Sequence, residues 1–402
     1  MPELASERTC TGCMACADKC PRRAISSHAN SDGHRYVSVE SALCVECGLC
    51  EKTCPVVNGR SYGDNSLRSD FFAGWSTSSF VRKNGATAGI FGALASEFIR
   101  NGGYVAGAVM DGLECKYLLT DKPDDIERLQ GSKYTSSDPT GIYSAIYKLL
   151  REDKTVLFSG LPCHVAALLS FVPARLYAGL YTVDLICGGV SSPALIRRYA
   201  RQHPAVKSIV SFRNKDHGWK PTGYRYSLKY RTDRGEVISE RGGRNLVTDG
   251  FACELTDRYC CYDCRFARTH RNADLTIGDL WNDTRFKEEH YNGVSAIISH
   301  SAKGLELLQR SDIETHAIDP KDVLRNNHRI YNGRSLKSLF PERRILKFSL
   351  RYFTYPMLMR IYANNLKTAN PLWWPFAAYR YLSFKLAFFF TKRRNRKILN
   401  SL

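Results

Sequence analysis

Cys10-Thr11-Gly12-Cys13-Met14-Ala15-Cys16-Ala17-Asp18-Lys19-Cys20-Pro21 and Cys44-Val45-Glu46-Cys47-Gly48-Leu49-Cys50-Glu51-Lys52-Thr53-Cys54-Pro55 share one spacing, C-x2-C-x2-C-x3-C-P. Three thiolates two residues apart can wrap one corner of an iron–sulfur cubane, and the fourth, set beyond a short helical turn, points away from it. Proline then ends the loop's use of backbone donors. In a two-cluster module the fourth cysteine of each run serves the other cluster. Cys10, Cys13, Cys16 and Cys54 are therefore assigned to one 4Fe-4S cluster, and Cys44, Cys47, Cys50 and Cys20 to a second. Gly12 and Gly48 would let backbone N–H groups approach the sulfurs. A pair of zinc sites is the competing reading. Zinc usually takes two C-x2-C pairs across a longer spacer, so two tight four-cysteine runs favour iron–sulfur chemistry and one-electron transfer. Between the runs, Asp32-Gly33 predicts a hairpin turn.

Working outward, the chain has 402 residues, enough for two or three domains. The first residues are polar and cysteine-rich with no apolar signal region, which predicts a cytoplasmic location. In a reducing compartment the 15 cysteines read as metal ligands or redox groups rather than a disulfide framework. The formal charge of +19 is uneven: residues 341–402 hold thirteen Lys/Arg against Glu342, +12, leaving +7 for the rest. The high pI is thus no evidence that the whole protein binds nucleic acid.

From Phe71 the pattern turns to alternating strands and helices. Ile90, Phe91, Leu94, Ala95, Phe98 and Ile99 recur at helical spacing, and Gly102-Gly103 would end that helix. Tyr104–Met110, Thr155–Ser159 and Tyr181–Ile186 read as strands, the last two running into Cys163 and Cys187-Gly188-Gly189. Gly223–Tyr230 and Glu236–Glu240 suggest a hairpin, so the α/β domain should carry a mixed sheet. Asn84–Gly89, opening the first helix, and Gln130–Tyr134 are small-residue segments of the kind that bind cofactors at strand ends, or plain loops. Cys163, Cys187, Cys261 and Cys264 could hold a third cluster; buried thiols are the alternative, and are the reading for Cys115 and Cys253. Cys260 would be a spare neighbour of the pair.

Gly131-Ser132-Lys133-Tyr134, Phe158–Cys163, Asp184–Gly189, Phe212–Lys215 with Gly218-Trp219, Cys261–Cys264, Ala273–Trp281 and Gly293–Ile297 together resemble the beta subunits of coenzyme F420-reducing hydrogenases and dehydrogenases over about residues 70 to 310. The resemblance implies an iron–sulfur flavoprotein that binds FAD in the α/β domain. Gly89, Gly131, Ser132, Lys133 and Tyr134 would lie along the flavin, and Cys163, Cys187, Cys261 and Cys264 would hold a further 4Fe-4S cluster. Lys133 would stabilise an anionic reduced ring or a phosphate, or be an ordinary surface lysine. His164 could supply a proton, or be a satisfied helix-start histidine. Asp279 would be a structural residue, ahead of a site residue. The chain departs from the family at Gly188, where histidine is usual, at Ala86-Thr87-Ala88-Gly89, where Ser-Ser-Gly-Gly is usual, and at Asn282, where glycine is usual.

The expected organisation is an α+β two-cluster ferredoxin-like module (1–60), a linker (61–70), an α/β flavin and iron–sulfur domain with a mixed sheet (71–335), and a basic aromatic amphipathic helical tail (336–402). In the tail, Trp373-Trp374 and Leu386–Phe390 precede Lys392–Lys397, and no apolar run is long enough to span a bilayer. The tail suits the anionic inner face of a membrane, ahead of a protein partner and then nucleic acid. The expected function is a flavin-dependent oxidoreductase taking electrons from a ferredoxin or a partner oxidoreductase to a small molecule, such as a deazaflavin or a polysaccharide-pathway compound. A non-catalytic electron-transfer subunit that feeds a separate reductase is the alternative, and a structural adaptor with vestigial clusters ranks last, since all eight N-terminal ligands are present. No catalytic residue is assigned.

Overall fold

The computed structural model describes residues 1–216, 218–219, 227–241, 245–252, 254, 256–334, 352, 357 and 374–402. Cys253, the start of the Gly223–Tyr230 segment, and Trp373 lie outside these residues, as does most of the tail before it. The strands are β1 Ile25–Ala29, β2 Arg35–Val39, β3 Asp70–Ser76, β4 Tyr104–Asp111, β5 Glu114–Thr120, β6 Ser137–Asp138, β7 Val156–Gly160, β8 Leu180–Leu185, β9 Val206–Ser211, β10 Ser227–Thr232, β11 Val237–Arg241, β12 Leu275–Asp279, β13 Ser295–Ser299 and β14 Ile313–Ala317. The α-helices are α1 Ala15–Lys19, α2 Leu49–Thr53, α3 Ser79–Asn84, α4 Ile90–Arg100, α5 Ile126–Leu129, α6 Ile142–Arg151, α7 Pro162–Phe171, α8 Ala194–Gln202, α9 Leu246–Ala252, α10 Ala302–Arg310, α11 Pro320–Leu324 and α12 Trp374–Ser401.

The N-terminal module pairs α1 and α2 with the β1–β2 hairpin, whose register runs from Ile25↔Val39 to Ala29↔Arg35. Its buried apolar cluster holds Cys16, Ile25 and Cys50, so cysteines stand where a larger domain would place aliphatic side chains. The hairpin tip is sunk into the rest of the protein. His34 is fully buried, with Nε2 2.9 Å from the Thr256 carbonyl and Nδ1 3.1 Å from the Ser136 hydroxyl, and Ser192 donates to the Asp32 carbonyl. Lys19 donates to the Phe171 carbonyl at 3.1 Å from a position over the Phe171 ring. The expected linker runs against one strand-like segment: Asp64 and His270 exchange backbone hydrogen bonds at 3.0 Å in both directions.

The main sheet has nine strands in the order β14-β3-β13-β12-β8-β7-β4-β5-β6. Its centre, β12-β8-β7-β4, is parallel, and β13, β3 and β14 add an antiparallel flank. Strands buried on both faces explain the apolar runs: Leu157 enters one core cluster while Val156 and Phe158 enter the other. α4, α5, α10 and α11 cover the first face, α6 and α7 the second, and the cysteine module lies against α6 and α7. The expected helix is α4, and its end is a Schellman turn: Gly102 at φ 76 bonds Ile99, and Gly103 bonds Phe98. The sheet is mixed as expected, but the expected hairpin does not supply the mixture. β10 pairs with both β11 and β9 in a separate three-stranded sheet, where Leu228 and Tyr230 pack on α8 and α9 residues. Hairpin patterning fixes local pairing and is silent about which sheet receives it.

The last turn of α12 docks on the main core through Ile398, Leu399 and Leu402, with Asn395 2.5 Å from Asn332. Further up the helix Leu382, Leu386, Phe388, Phe389 and Phe390 are exposed, followed by exposed Lys392, Arg393, Arg396 and Lys397. Three successive exposed phenylalanines cannot share one helix face. Among the described side chains, exposed Lys385 lies between Leu382 and Leu386, and the basic run of 392–397 follows the phenylalanines along the axis. No described helix is long and apolar enough to cross a membrane.

Candidate iron–sulfur and cofactor site

Each N-terminal run uses the same two left-handed turns: Gly12 (φ 70) and Met14 (φ 60) in the first, Glu46 (φ 51) and Gly48 (φ 68) in the second. Glycine fills only one of the two positions in each run, and a different one. Met14 and Gly48 precede α1 and α2, setting Cys16 and Cys50 in the first helical turn; Cys20 and Cys54 cap the far ends in extended conformation. The Gly12 and Glu46 N–H groups donate to the Cys10 and Cys44 sulfurs at 3.4 Å, and Ala24 donates to Cys20 at 3.3 Å.

Burial pushes up the Cys10 and Cys16 thiols, and Cys13 to about 12, with Cys54 adding like charge to all three. Burial likewise raises Cys50, which has Cys20 among its charged neighbours. Cys54 thus sits with the first run and Cys20 with the second. Buried thiols that resist ionising alone suit a site where iron supplies the opposing charge. Among the described residues no group of three or more His, Cys, Asp or Glu converges on a point fit for a single metal ion. A cubane instead takes its thiolates at separate corners of a larger body.

The inner cysteines come from three separate places. Cys163 is the second residue of α7, Cys187 follows β8, and Cys261 and Cys264 lie in and after the helical turn Tyr259–Tyr262. All four line a cavity of about 640 Å³, together with Cys260. Burial raises the Cys163 thiol, with Cys187, Cys264 and Cys261 as the next contributors; burial and then Cys261 push Cys187 up to about 12. Arg329 opposes this at Cys187 and Cys264, and donates to the carbonyls of Cys261 at 2.7 Å and Gly333 at 2.9 Å. A donor set of four crowded thiols beside a buried cation fits an anionic iron–sulfur cluster.

Beneath the cavity, Arg271 pairs with Asp184 at 3.0 Å, with both side chains almost fully buried (3% and 2% exposed). Asp184 also accepts from Thr276 at 2.5 Å. Burial still raises the Asp184 carboxyl against the opposing pull of Arg271. His164 takes the satisfied-ring role: Nδ1 is 2.9 Å from the Tyr117 hydroxyl, and burial, then Arg258, lower it to about 3, which keeps it neutral near pH 7.

A second cavity, about 520 Å³, is lined by all five residues expected along a flavin: Gly89, Gly131, Ser132, Lys133 and Tyr134. It shares Leu161, Cys187, Gly189 and Arg329 with the cysteine cavity. Gly89 (φ 77) must be glycine because a Cβ there would strike the Val81 and Arg82 backbone. Gly131 (φ 79) faces open space. Tyr134 stacks on Phe251, with centroids 3.9 Å apart and planes at 13°. Thr135 carries a buried hydroxyl with no partner among the described residues, a polar group a bound cofactor could satisfy.

Lys133 sits differently from the expectation. Its ammonium donates to the carbonyls of Arg128, Leu129 and Gln130 at 3.1, 3.0 and 2.6 Å, closing the end of α5, and burial lowers it to about 8. Lys215 does the same for the loop before α4, bonding the Arg82, Thr87 and Asn292 carbonyls. Asp279 holds Arg213 in a bidentate pair at 2.8 and 3.0 Å and accepts from Thr87. Asn282 has φ 57, the left-handed conformation glycine usually takes. Sequence reasoning missed Arg329, Arg271, Arg258 and Phe251. Each is tied to its partner by tertiary contact, and no local pattern marks it.

Residues 153–321 match the family described as the C terminus of the coenzyme F420 hydrogenase/dehydrogenase beta subunit, and residues 9–58 match a 4Fe-4S dicluster domain. The chain is 28% identical over 179 residues to the F subunit of the F(420)H(2) dehydrogenase of Methanosarcina mazei, spanning 41% of this chain and 49% of that one. It is 37% identical over 51 residues to the VorC subunit of the ketoisovalerate oxidoreductase of Methanothermobacter marburgensis, 12% of this chain and 65% of that one. The chain therefore spans about half the length of the first of these relatives and just under two thirds of the second. A chain from the F420-reducing [NiFe] hydrogenase complex of Methanosarcina barkeri superposes with a TM-score of 0.45 at 18% identity, covering 68% of this chain and 91% of that one. The chain thus carries a region that matches the C terminus of coenzyme F420 hydrogenase/dehydrogenase beta subunits, with a match to a 4Fe-4S dicluster domain on its N-terminal side.

Proposed function

We propose that the protein is an iron–sulfur flavoprotein oxidoreductase that passes electrons between its N-terminal clusters, an inner cluster and a flavin, and so to a small-molecule substrate. The observation that carries this reading is the shared wall: Cys187, Gly189, Leu161 and Arg329 border both the cysteine cavity and the cavity lined by Gly131–Tyr134. A flavin bound there would convert one-electron traffic into two-electron chemistry. The chain's own residues bind and orient. Lys215 and Asp279 fix the loop that leads into α4, and Lys133 holds the end of α5 beside Gly131. Neutral His164 and Tyr117 close the inner side of the wall without adding charge. A ferredoxin or a partner oxidoreductase would exchange electrons at the N-terminal module, and the exposed Leu382–Phe390 and Lys392–Lys397 segments would rest on an anionic membrane face in the cytoplasm.

The test is anaerobic purification, followed by an absorption spectrum with iron and released-flavin quantification. About twelve irons and one flavin per chain are expected. About eight irons and no flavin would overturn the enzyme reading in favour of an electron relay.

A further inference from the structure

Arg258 is among the largest fully buried side chains, at 2% exposure, yet it lies where two redox centres would meet. Its backbone belongs to the inner site: the Arg258 N–H donates to the Val190 carbonyl at 3.1 Å, and its own carbonyl accepts from the Cys261 N–H at 2.9 Å. Its side chain reaches into the N-terminal module. The guanidinium donates to the carbonyls of Arg35 at 2.6 Å and Cys10 at 3.4 Å, and lies 4.6 Å over the Tyr36 ring. It fills the space beside Gly12, where a Cβ would run into its terminal nitrogens. Among the described residues Nε has no partner and no carboxylate pairs with the cation.

A buried guanidinium held only by carbonyls and an aromatic face is costly unless a negative charge lies nearby. The position supplies one. The Cys10–Thr11–Gly12 turn that Arg258 covers is the wall of the site assigned to Cys10, Cys13, Cys16 and Cys54. A 4Fe-4S cluster with four thiolates is anionic, and gains one further negative charge on reduction. A fixed cation at that wall favours the reduced form. At the site of Cys44, Cys47, Cys50 and Cys20 the cation near Cys44 is the N-terminal amine, which is exposed and paired at 2.8 Å with exposed Glu46, the residue that stands where the first run has Gly12.

We infer that Arg258 is a positioning residue that splits the potentials of the two N-terminal clusters, raising that of the cluster next to the inner cysteines so that electrons entering the module collect beside the inner site. Its backbone frames the Cys261 loop while its charge meets the Cys10 turn, so it also fixes the distance between the two centres. This rests on the iron–sulfur reading of the N-terminal runs and is independent of the flavin.

The experiment is an EPR-monitored redox titration of the anaerobically purified full-length chain, native, Arg258→Gln and Arg258→Lys. In Arg258→Gln one N-terminal cluster should become harder to reduce by at least about tenfold in its one-electron equilibrium, ~59 mV, while the other keeps its native value. Arg258→Lys, which keeps the charge, should stay close to native. The inference is overturned if neither N-terminal cluster moves, if both move equally, or if the lysine variant shifts as far as the glutamine variant. Should Arg258→Gln lose iron, Arg258→Lys decides alone: a native-like potential supports the charge role, and a tenfold shift overturns it. Native chain that lacks iron would instead sink the iron–sulfur reading itself.

Discussion

The N-terminal module and the inner cysteine site would do related chemistry and are built in opposite ways. The module would take its eight ligands from two contiguous runs, shaped by left-handed turns within each run. The inner site draws Cys163, Cys187, Cys261 and Cys264 from a helix start, a strand end and a distant loop, and depends on a nine-stranded sheet to bring them together. The first site brings its fold with it. In the second, the fold comes first and the site is carried on it. The difference should show most strongly when iron is removed.

The module's own apolar core is little more than Ile25 with Cys16 and Cys50, whereas the main domain buries extensive clusters on both faces of its sheet. Small domains with so little to bury depend on their metal for folding. Anaerobic chelation of the whole protein should therefore melt residues 1–58 while the sheet remains. Hydrogen exchange is the measurement: amides of β1 and β2 should lose protection and those of β7 and β8 should keep it. Uniform loss across both regions would break the contrast.

The second expected effect concerns the scaffold under the inner site. Arg271 and Asp184 are buried and share Thr276 and the Leu185 carbonyl in one network. Removing one partner of such a pair leaves a buried charge unmatched, which costs about 3–5 kcal/mol. Arg271→Ala should lower the unfolding free energy by that amount, read as a lower urea midpoint, and reduce the iron bound at the inner site, leaving the N-terminal clusters at full occupancy. Iron loss without a change in midpoint would mean that Arg271 acts on the cluster directly.

These contrasts follow what could be read from the sequence. The C-x2-C-x2-C-x3-C-P spacing states both ligands and local geometry, because every turn it needs lies within the run. The strand–helix alternation made α4, β4, β7 and β8 legible, since each is periodic over its own length. The partners were not legible. Arg258 is 248 positions from Cys10, and Arg329 is 68 from Cys261, and an arginine carries no mark of which distant carbonyl it will meet. The separate β9–β10–β11 sheet was hidden for the same reason: alternation predicts a strand, and neighbours decide its sheet.

Lys133 tests the boundary between the two kinds of reading. Resemblance set it along a flavin, where its cation would meet a reduced ring or a phosphate; the structure turns its ammonium onto three carbonyls at the end of α5. That placement makes it a brace for the Gly131 turn and leaves few of its donors for a ligand. Lys133→Met keeps the length of the stem and removes the donors, stranding partly buried carbonyls, for a loss of roughly 1–3 kcal/mol. Thermal unfolding should report that loss while flavin per chain stays at the native ratio. If instead flavin is lost and the unfolding temperature does not move, the ammonium serves the cofactor, and the resemblance will have read this residue better than its hydrogen bonds do.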